Sequence, residues 1–199
     1  MNKKIAIIGA GGHGKVVGEI ALLNQYKIIH FFDDKKNNSK DFPFNIYGTV
    51  DYLKQHLENY DSFFVAIGQN KIRYNLIESL KVKKINIVSL IHPRATISKF
   101  TSVGIGTCVM ANAVINPGTK VNNGVIINTS ASIDHDCLIN DFAHISPNCS
   151  LSGGVKVGKF SHLGTGTSVH PEINIGDNVK IAAGSKIYKN ILNDIVHKT

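Results

Sequence analysis

The sequence predicts a two-part chain, an α/β unit over residues 1–92 followed by a parallel β-helix of hexapeptide repeats over residues 93–199. Three observations predict this fold class. Strand-like and helix-like segments alternate up to residue 91, and an aliphatic residue then recurs at every sixth position. Pro93 separates the two patterns. Because the patterns have different periods, we expect two domains with separate cores.

Composition excludes several classes of protein. The chain is 43% hydrophobic and 18% charged, and no apolar run reaches the roughly 18 residues of a membrane span, so we expect no membrane insertion. The first apolar run leads into a glycine turn instead of a cleavage site, so we interpret it as a strand of a cytoplasmic protein. Three cysteines without a C-x-x-C spacing, Cys108, Cys137 and Cys149, predict reduced thiols.

The net charge of +8 comes from lysines scattered along the chain. Since no basic stripe alternates with aromatic residues, we expect no nucleic acid partner. A basic surface of this kind suits small phosphorylated ligands.

The N-terminal unit alternates strands and helices, which predicts a parallel sheet with crossover helices. The predicted strands are residues 3–9, 26–34, 62–68 and 85–91, and the predicted helices are residues 13–25, 49–57 and 71–81.

The first turn of this unit, from Gly9 to Gly14, has the G-x-G-x-x-G spacing of a dinucleotide fingerprint. Its glycines let backbone N–H groups approach a phosphate at a helix N-terminus. Asp33 and Asp34 end the second strand, where a ribose-binding carboxylate would lie. Because four strands are half of a dinucleotide domain, the site suits a nucleoside diphosphate such as UDP better than NAD or FAD. The alternative, a turn that serves only strand–helix packing, stays open.

The second half carries a hexapeptide repeat. Sixteen consecutive positions at a step of six are Ile, Val or Leu: Ile97, Val103, Val109, Ile115, Val121, Ile127, Ile133, Ile139, Ile145, Leu151, Val157, Leu163, Val169, Ile175, Ile181 and Ile187. Three hexads make an 18-residue coil whose aliphatic residues stack inside a prism, and residues 97–192 make about five coils. Small or polar residues often follow, and we expect them to adopt the left-handed conformation at the corners: Gly104, Asn116, Asn122, Asn128, Gly158, Gly164 and Gly176.

Five motifs carry a family resemblance: GAGGHGKVV, FDD and AIGQN, then INTSASIDHD and FAHISP within the hexads. In this order and spacing they resemble the bacterial sugar acetyltransferases grouped with sialic acid O-acetyltransferase, which include UDP-4-amino-4,6-dideoxy-sugar N-acetyltransferases. The resemblance covers nearly the whole chain. It implies a Rossmann-like N-terminal domain, a left-handed parallel β-helix, and a homotrimer with active sites between neighbouring prisms. It also implies acetyl-CoA and a UDP-amino-sugar as substrates.

The resemblance also implies roles for individual residues. The catalytic histidine falls on His135. The substrate-binding positions fall on Gly11, Gly12, His13, Asp33, Asp34, Gly68 and Asn128. The positions that contact acetyl-CoA fall on His144, Gly153, Thr165 and Ala183. Family members usually close with a G-x-P-A segment, where this chain has NDIVHKT, so the contact made by that segment is not carried over.

The chemistry of direct acetyl transfer agrees with these residues. A histidine with a pKa near 6.5 suits a general base at neutral pH, so His135 would take the proton from the sugar amine. Asp136 would orient the imidazole if residues 134–136 form a turn, and Asp134 is the alternative. His144 and His162, one coil apart, should stack on the prism. Cys137 lacks a dedicated base, which argues against a thioester intermediate, and the histidine spacing predicts no metal.

The sequence therefore predicts an acetyl-CoA-dependent N-acetyltransferase that acts on the 4-amino group of a UDP-linked amino-dideoxy sugar in glycan biosynthesis. One alternative is O-acetylation of a sialic-acid-like sugar, since the same base can serve a hydroxyl. A non-catalytic protein that binds a nucleotide sugar or NAD through the N-terminal turn is the alternative from another class.

Overall fold

The computed structural model describes residues 3–35 and 41–198. The chain forms two compact units, Met1–Pro93 and Arg94–Thr199. Among the described residues, no helix has both the length and the apolar character that crossing a bilayer requires.

The first unit is built on a four-stranded parallel sheet. Its strands are β1 (Lys4–Ile8), β2 (Ile28–Phe32), β3 (Ile46–Gly48) and β4 (Ser62–Val65), in the order β3-β2-β1-β4. The helices are α1 (Gly12–Leu23), α2 (Val50–Lys54) and α3 (Asn70–Lys81), with a 3-10 turn at Leu57–Asn59. Parallel pairing places the carboxyl ends of β1, β2 and β4 at one edge of the sheet.

Two expectations for this sheet were wrong in detail. The strand predicted at residues 85–91 contracts to β5 (Leu90–Ile91) and an isolated bridge between Ile87 and Phe63. The fourth member of the sheet is instead β3, which pairs with β2 at the edge. It escaped the sequence analysis because a three-residue strand is too short to show a period.

The second unit is a prism with three faces, each a parallel sheet whose strands lie 18 residues apart, except that the last two strands of face 3 lie 16 apart. Face 1 contains Thr96–Ile97, Val114–Ile115, Ser132–Ile133, Ser150–Leu151, Ser168–Val169 and Lys186–Ile187. Face 2 contains Ser102–Val103, Lys120–Val121, Leu138–Ile139, Lys156–Val157 and Asn174–Ile175. Face 3 contains Cys108–Val109, Ile126–Ile127, His144–Ile145, His162–Leu163, Lys180–Ile181 and Val196–His197.

The interior of the prism is formed by the aliphatic residues predicted at every sixth position. From Val109 to Ile187 every member is at most 5% exposed, because each side chain points inward and stacks on its equivalents in adjacent coils. The 18-residue step holds up to the pair Val169 and Ile187. It then shortens to 16, with Ile175 bridging to Ile191. The prediction of an α/β domain followed by a left-handed parallel β-helix is confirmed.

The corners adopt the left-handed conformation at a different position from the one expected. Every sixth residue from Gly106 to Gly184 has a positive φ, between +55° and +78°. The residues for which we expected this conformation lie two positions earlier and do not have it: Gly104, Asn116, Asn122, Asn128, Gly158, Gly164 and Gly176. Close packing against the next coil, and not a positive φ, explains the glycines among these residues. A Cβ on Gly104 would lie 2.6 Å from the carbonyl carbon of Asn122, in the next coil.

We therefore predict that Gly158→Ala destabilises the prism. A Cβ at this position would collide with the backbone carbonyl of Gly176, and such overpacking costs about 1–3 kcal/mol. The matched variant Lys159→Ala, on an exposed neighbour, should change the free energy of unfolding by less than about 0.5 kcal/mol. Urea denaturation measures both values, and equal stability of the two variants would contradict the close approach of the coils.

Candidate active site

His135 lies on an exposed turn, residues 134–137, that joins face 1 to face 2. Asp136 has a φ of +58°, and its Oδ2 lies 2.8 Å from Nδ1 of His135. In a flat strand these adjacent side chains would point to opposite faces. The left-handed residue in the turn brings them together, as the predicted pairing of the two residues requires.

Asp134 has a separate task. Its Oδ1 accepts hydrogen bonds from the His135 backbone N–H at 2.8 Å and from Nδ2 of Asn116 at 2.9 Å. These bonds, that of Asn116 foremost, lower the pKa of Asp134. Of the two candidate orienting residues, Asp136 is therefore the one that contacts the imidazole, and Asp134 fixes the backbone of the turn.

Two glycines in adjacent coils make room for this pair. A Cβ on Gly118 would collide with Oδ1 of Asp136, and a Cβ on Gly153 would lie 2.6 Å from Cε1 and Nε2 of His135. The imidazole thus leans over Gly153, one coil further along the prism. The structure places Gly153 beneath His135, and the role in coenzyme binding that the resemblance implied for Gly153 stays a prediction.

The imidazole lines an open groove of about 440 Å³, formed by Asp134, His135, Asp136, Ser152, Gly153, Gly154, Pro171 and Glu172. The His135 side chain is 61% exposed, and its Nε2, which is not the atom that contacts Asp136, lies over Gly153 in the lining of this groove. The hydrogen bond that the Asp136 carboxylate accepts from the imidazole, and after it the charge of Asp134, raises the pKa of His135. Such an environment favours the imidazolium that a general base forms.

His144 and His162 stack on face 3, as their spacing predicts. Their rings are 4.5 Å apart and nearly parallel, at 3°. Nε2 of His144 lies 3.3 Å from Nδ2 of Asn128, and Nε2 of His162 lies 2.9 Å from Oγ of Ser146. Within one chain, Asn128 therefore belongs with His144, on face 3, and not with His135.

Thr165 and Ala183 lie on the corner between face 3 and face 1. They are exposed and occupy equivalent positions one coil apart. Of the four residues assigned to acetyl-CoA, these two share one corner, His144 lies on face 3, and Gly153 lies on the His135 corner. One prism does not bring the four together.

The glycines of the N-terminal turn fall into two classes. Gly9 has a φ of +107°, and a Cβ on Gly14 would collide with the carbonyl oxygen of Gly9. These two glycines serve packing. By contrast, a Cβ on Gly11, Gly12 or Gly68 would meet no described atom within 4 Å. Packing therefore accounts for only part of the motif, and open space adjoins the rest of it at the carboxyl edge of the sheet.

Asp33 and Asp34 hold the backbone around this edge. Oδ2 of Asp33 accepts the N–H of Ala10 at 2.8 Å, and its Oδ1 accepts the N–H of Lys35 at 2.9 Å. Oδ1 of Asp34 accepts the N–H of Val50 at 2.8 Å, at the start of α2. The two carboxylates thus shape the glycine turn and the neighbouring helix start, in addition to any contact with a ligand.

His13, in the first turn of α1, has an unsatisfied nitrogen. Its Nε2 is buried and has no hydrogen-bond partner among residues 3–35 and 41–198. Burial, and after it the charge of Arg73, lowers the pKa of His13 to about 4, so the ring is neutral at physiological pH. Arg73 also donates to the carbonyl oxygens of Ile67 and Gly68, at 2.9 and 3.1 Å, which fixes the loop after β4.

The cysteines lie in the core of the prism. Burial raises the pKa of the Cys137 thiol, which donates a hydrogen bond to the carbonyl oxygen of Ser152. Cys108 and Cys149 are also free and buried. A thiol held in its neutral form is a poor nucleophile. In the part of the chain that the structure describes, no cluster of three or more His, Cys, Asp or Glu side chains could hold a metal ion.

Three residues in or beside the groove were not predicted as site residues: Asn116, Gly118 and Glu172. The coil spacing could have found the first two, because Asn116 lies 18 residues before Asp134 and Gly118 lies 18 before Asp136. Arg73 carried no comparable pattern, since its role depends on the loop that it holds.

The chain is similar to known proteins over most of its length. Residues 4–80 match the family model described as the PglD N-terminal domain. The acetyltransferase domain of PglB from Neisseria gonorrhoeae superimposes with a TM-score of 0.91 and 42% identity, covering 96% of this chain and 93% of that one. The chain belongs to the PglD-like acetyltransferase family.

Some of these similar proteins were solved with bound ligands. The same Neisseria domain has a structure with acetyl coenzyme A. PerB from Caulobacter crescentus, solved with CoA and GDP-perosamine, has a TM-score of 0.92 and 31% identity over 98% of this chain and 93% of that one. UDP-N-acetylbacillosamine N-acetyltransferase of Bacillus subtilis is 37% identical over 113 residues, 55% of this chain. The chain spans about half the length of the curated relatives that it matches, 52% in this case.

We predict that Asp136→Asn lowers the pKa of His135. The hydrogen bond that the Asp136 carboxylate accepts from His135 is the main cause of the raised pKa, and an amide lacks the charge that favours the imidazolium. Asparagine tolerates a positive φ, so the turn should persist. NMR titration of the imidazole measures the shift. Asp194→Asn, at another exposed left-handed position, is the control, and an unchanged His135 titration in Asp136→Asn would contradict the pairing.

Proposed function

We propose that this chain transfers the acetyl group of acetyl-CoA to the 4-amino group of a UDP-linked 4-amino-4,6-dideoxy sugar in glycan biosynthesis. The observation that carries the proposal is the His135–Asp136 pair, in which Asp136 holds Nδ1 and Nε2 faces an open groove. The PglD-like relatives that act on UDP- and GDP-linked amino sugars support this class of acceptor.

The proposed reaction is a direct transfer. The sugar nitrogen attacks the thioester carbonyl carbon, a C–N bond forms, and the C–S bond breaks. Nε2 of His135 accepts the proton that the nitrogen loses and returns it to the departing CoA sulfur. Asp136 stabilises the imidazolium formed in between. The contacts that raise the pKa of His135 favour the imidazolium that forms when Nε2 accepts the proton.

The N-terminal unit would bind the uridine diphosphate. Gly11 and Gly12 leave open space at the N-terminus of α1, where backbone N–H groups attract phosphate. Gly68 borders the same edge, and the first turn of α1 also holds the buried Nε2 of His13, which has no hydrogen-bond partner among the described residues. A sialic-acid-like sugar without the nucleotide would leave these groups unused, which argues against the O-acetylation alternative. A non-catalytic binding protein would have no use for the His135–Asp136 pair.

We further propose that the chain forms a homotrimer in the cytoplasm. His135 lies on the corner between face 1 and face 2, whereas His144 lies on face 3 with Asn128 nearby. A site that uses His135 as base and His144 for acetyl-CoA contact therefore takes them from two neighbouring prisms. The same arrangement would add Thr165 and Ala183 to the coenzyme channel and Asn128 to the sugar site.

We predict that His135→Ala lowers kcat by roughly 10²–10⁴, the usual contribution of a positioned general base. The melting temperature should hardly change, because the side chain is 61% exposed. Steady-state kinetics with a UDP-4-amino-sugar and acetyl-CoA measure the effect. His144→Ala is the comparison variant and should raise the acetyl-CoA KM at least as much as it lowers kcat. If His135→Ala keeps more than about a third of kcat, His135 is not the base.

We further predict that Gly12→Ala raises the KM for the sugar nucleotide about tenfold without loss of stability. Gly12 is the first residue of α1, and alanine suits a helix better than glycine. Its methyl group would enter the open space beside the turn and meet a ligand, not the protein.

The acetyl-CoA KM of Gly12→Ala should stay unchanged, because the thioester binds elsewhere. Gly14→Ala is the matched control. Its methyl group collides with the carbonyl of Gly9, so it should lower the melting temperature. Unchanged sugar kinetics in Gly12→Ala would refute the nucleotide site.

A further inference from the structure

Glu172 occupies a left-handed corner of the prism, a backbone conformation that glutamate seldom adopts. Most left-handed corner positions hold Gly, Asn, Asp or Ser, and the exceptions are Phe142, Phe160 and Glu172. The two phenylalanine rings stack on each other, with centroids 5.7 Å apart. Glu172, with a φ of +60°, has no side-chain hydrogen bond or ion pair with any residue that the structure describes.

Glu172 and His135 converge on one pair of glycines. The imidazole reaches forward over Gly153 from the preceding coil, with Cε1 and Nε2 only 2.6 Å from a Cβ built there. The Glu172 side chain reaches back from the following coil, with Cγ 3.3 Å from a Cβ built on Gly154. Gly153 and Gly154 thus lie between His135 and Glu172, and all four residues line the groove.

The other two carboxylates of the groove are already engaged. Asp136 holds Nδ1 of His135, and Asp134 accepts hydrogen bonds from Asn116 and from the backbone N–H of His135. Of the three carboxylates that line the groove, only that of Glu172 can offer both of its oxygens to a ligand. A carboxylate opposite a general base is complementary to a cationic N–H donor. Primary amines with pKa values of about 8 or above are mostly protonated at neutral pH.

We propose that Glu172 binds the amino group of the acceptor sugar in its ammonium form and thereby selects amines over hydroxyls. This inference rests on the proposed function. Glu172 draws the ammonium into the groove beside Nε2 of His135. One proton passes from the nitrogen to Nε2 and then to solvent, which frees the lone pair that attacks the thioester. After the attack, Nε2 accepts a second proton from the nitrogen and returns it to the departing CoA sulfur, as in the proposed reaction, so the product is the neutral amide.

The test is the pair Glu172→Gln and Glu172→Gly. Each should raise the KM for the UDP-4-amino-sugar about tenfold or more, because a hydrogen bond between charged groups is lost. The acetyl-CoA KM should stay within about twofold. Affinity for the analogue with a 4-hydroxyl in place of the amine should not change. Since glycine suits a positive φ, Glu172→Gly should melt no lower than the wild type. Glu58→Gln, which removes the same charge from an exposed turn of the first unit, should behave as wild type.

Two results would overturn the inference. Wild-type kinetics in Glu172→Gln would mean that the carboxylate has no role in binding. A rise in the acetyl-CoA KM equal to or larger than that for the sugar would mean that Glu172 faces the coenzyme. If the wild type itself turns over no amino sugar, the proposed function fails instead. Calorimetry of amino-sugar binding without acetyl-CoA would then still decide whether Glu172 contributes.

Discussion

Backbone pairing between residues 18 positions apart sets the level of each side chain along the prism axis. It also sets whether the side chain points into the core or outward. The aliphatic residue of each hexad stacks on its equivalents, as Ile145 does on Leu163, and this stacking leaves no freedom to shift the register by one residue. The same pairing brings turn residues of successive coils into contact. It aligns Gly118 with Asp136 and Gly153 with His135, although each pair is far apart along the chain. The chemistry of the groove is thus a consequence of the repeat.

A second constraint is the left-handed residue at each corner. Asp136 occupies that position, and its conformation turns the carboxylate towards the imidazole of the preceding residue. Buried hexad positions could not carry this pair, because they face the core. The rigid coils beneath hold the exposed side chains in place, with Asn116 supporting Asp134 from the preceding coil. The groove therefore combines access to solvent with the preorganisation that proton transfer requires.

The sequence predicted the prism well because one aliphatic residue per hexad is a long-range pattern with a single interpretation. It predicted the pairing of His135 with an acid but could not choose between Asp134 and Asp136, since that choice depends on the φ of one residue. Glu172 gave no pattern of its own. Its place in the groove with His135 follows only when the coils are stacked and Gly153–Gly154 is seen to lie between them. The short edge strand Ile46–Gly48 was missed for lack of a period.

We propose that Nε2 of His135 meets the acceptor amine in a groove to which a neighbouring chain contributes His144. A crystal structure of the full chain with coenzyme A and a UDP-4-amino-sugar tests it most directly. We expect the amine nitrogen to lie within about 3.2 Å of Nε2 of His135, or to be joined to it by one water. We also expect His144 of an adjacent protomer to lie beside the coenzyme. An amine bound out of reach of His135, or a coenzyme held by the same prism alone, would contradict it.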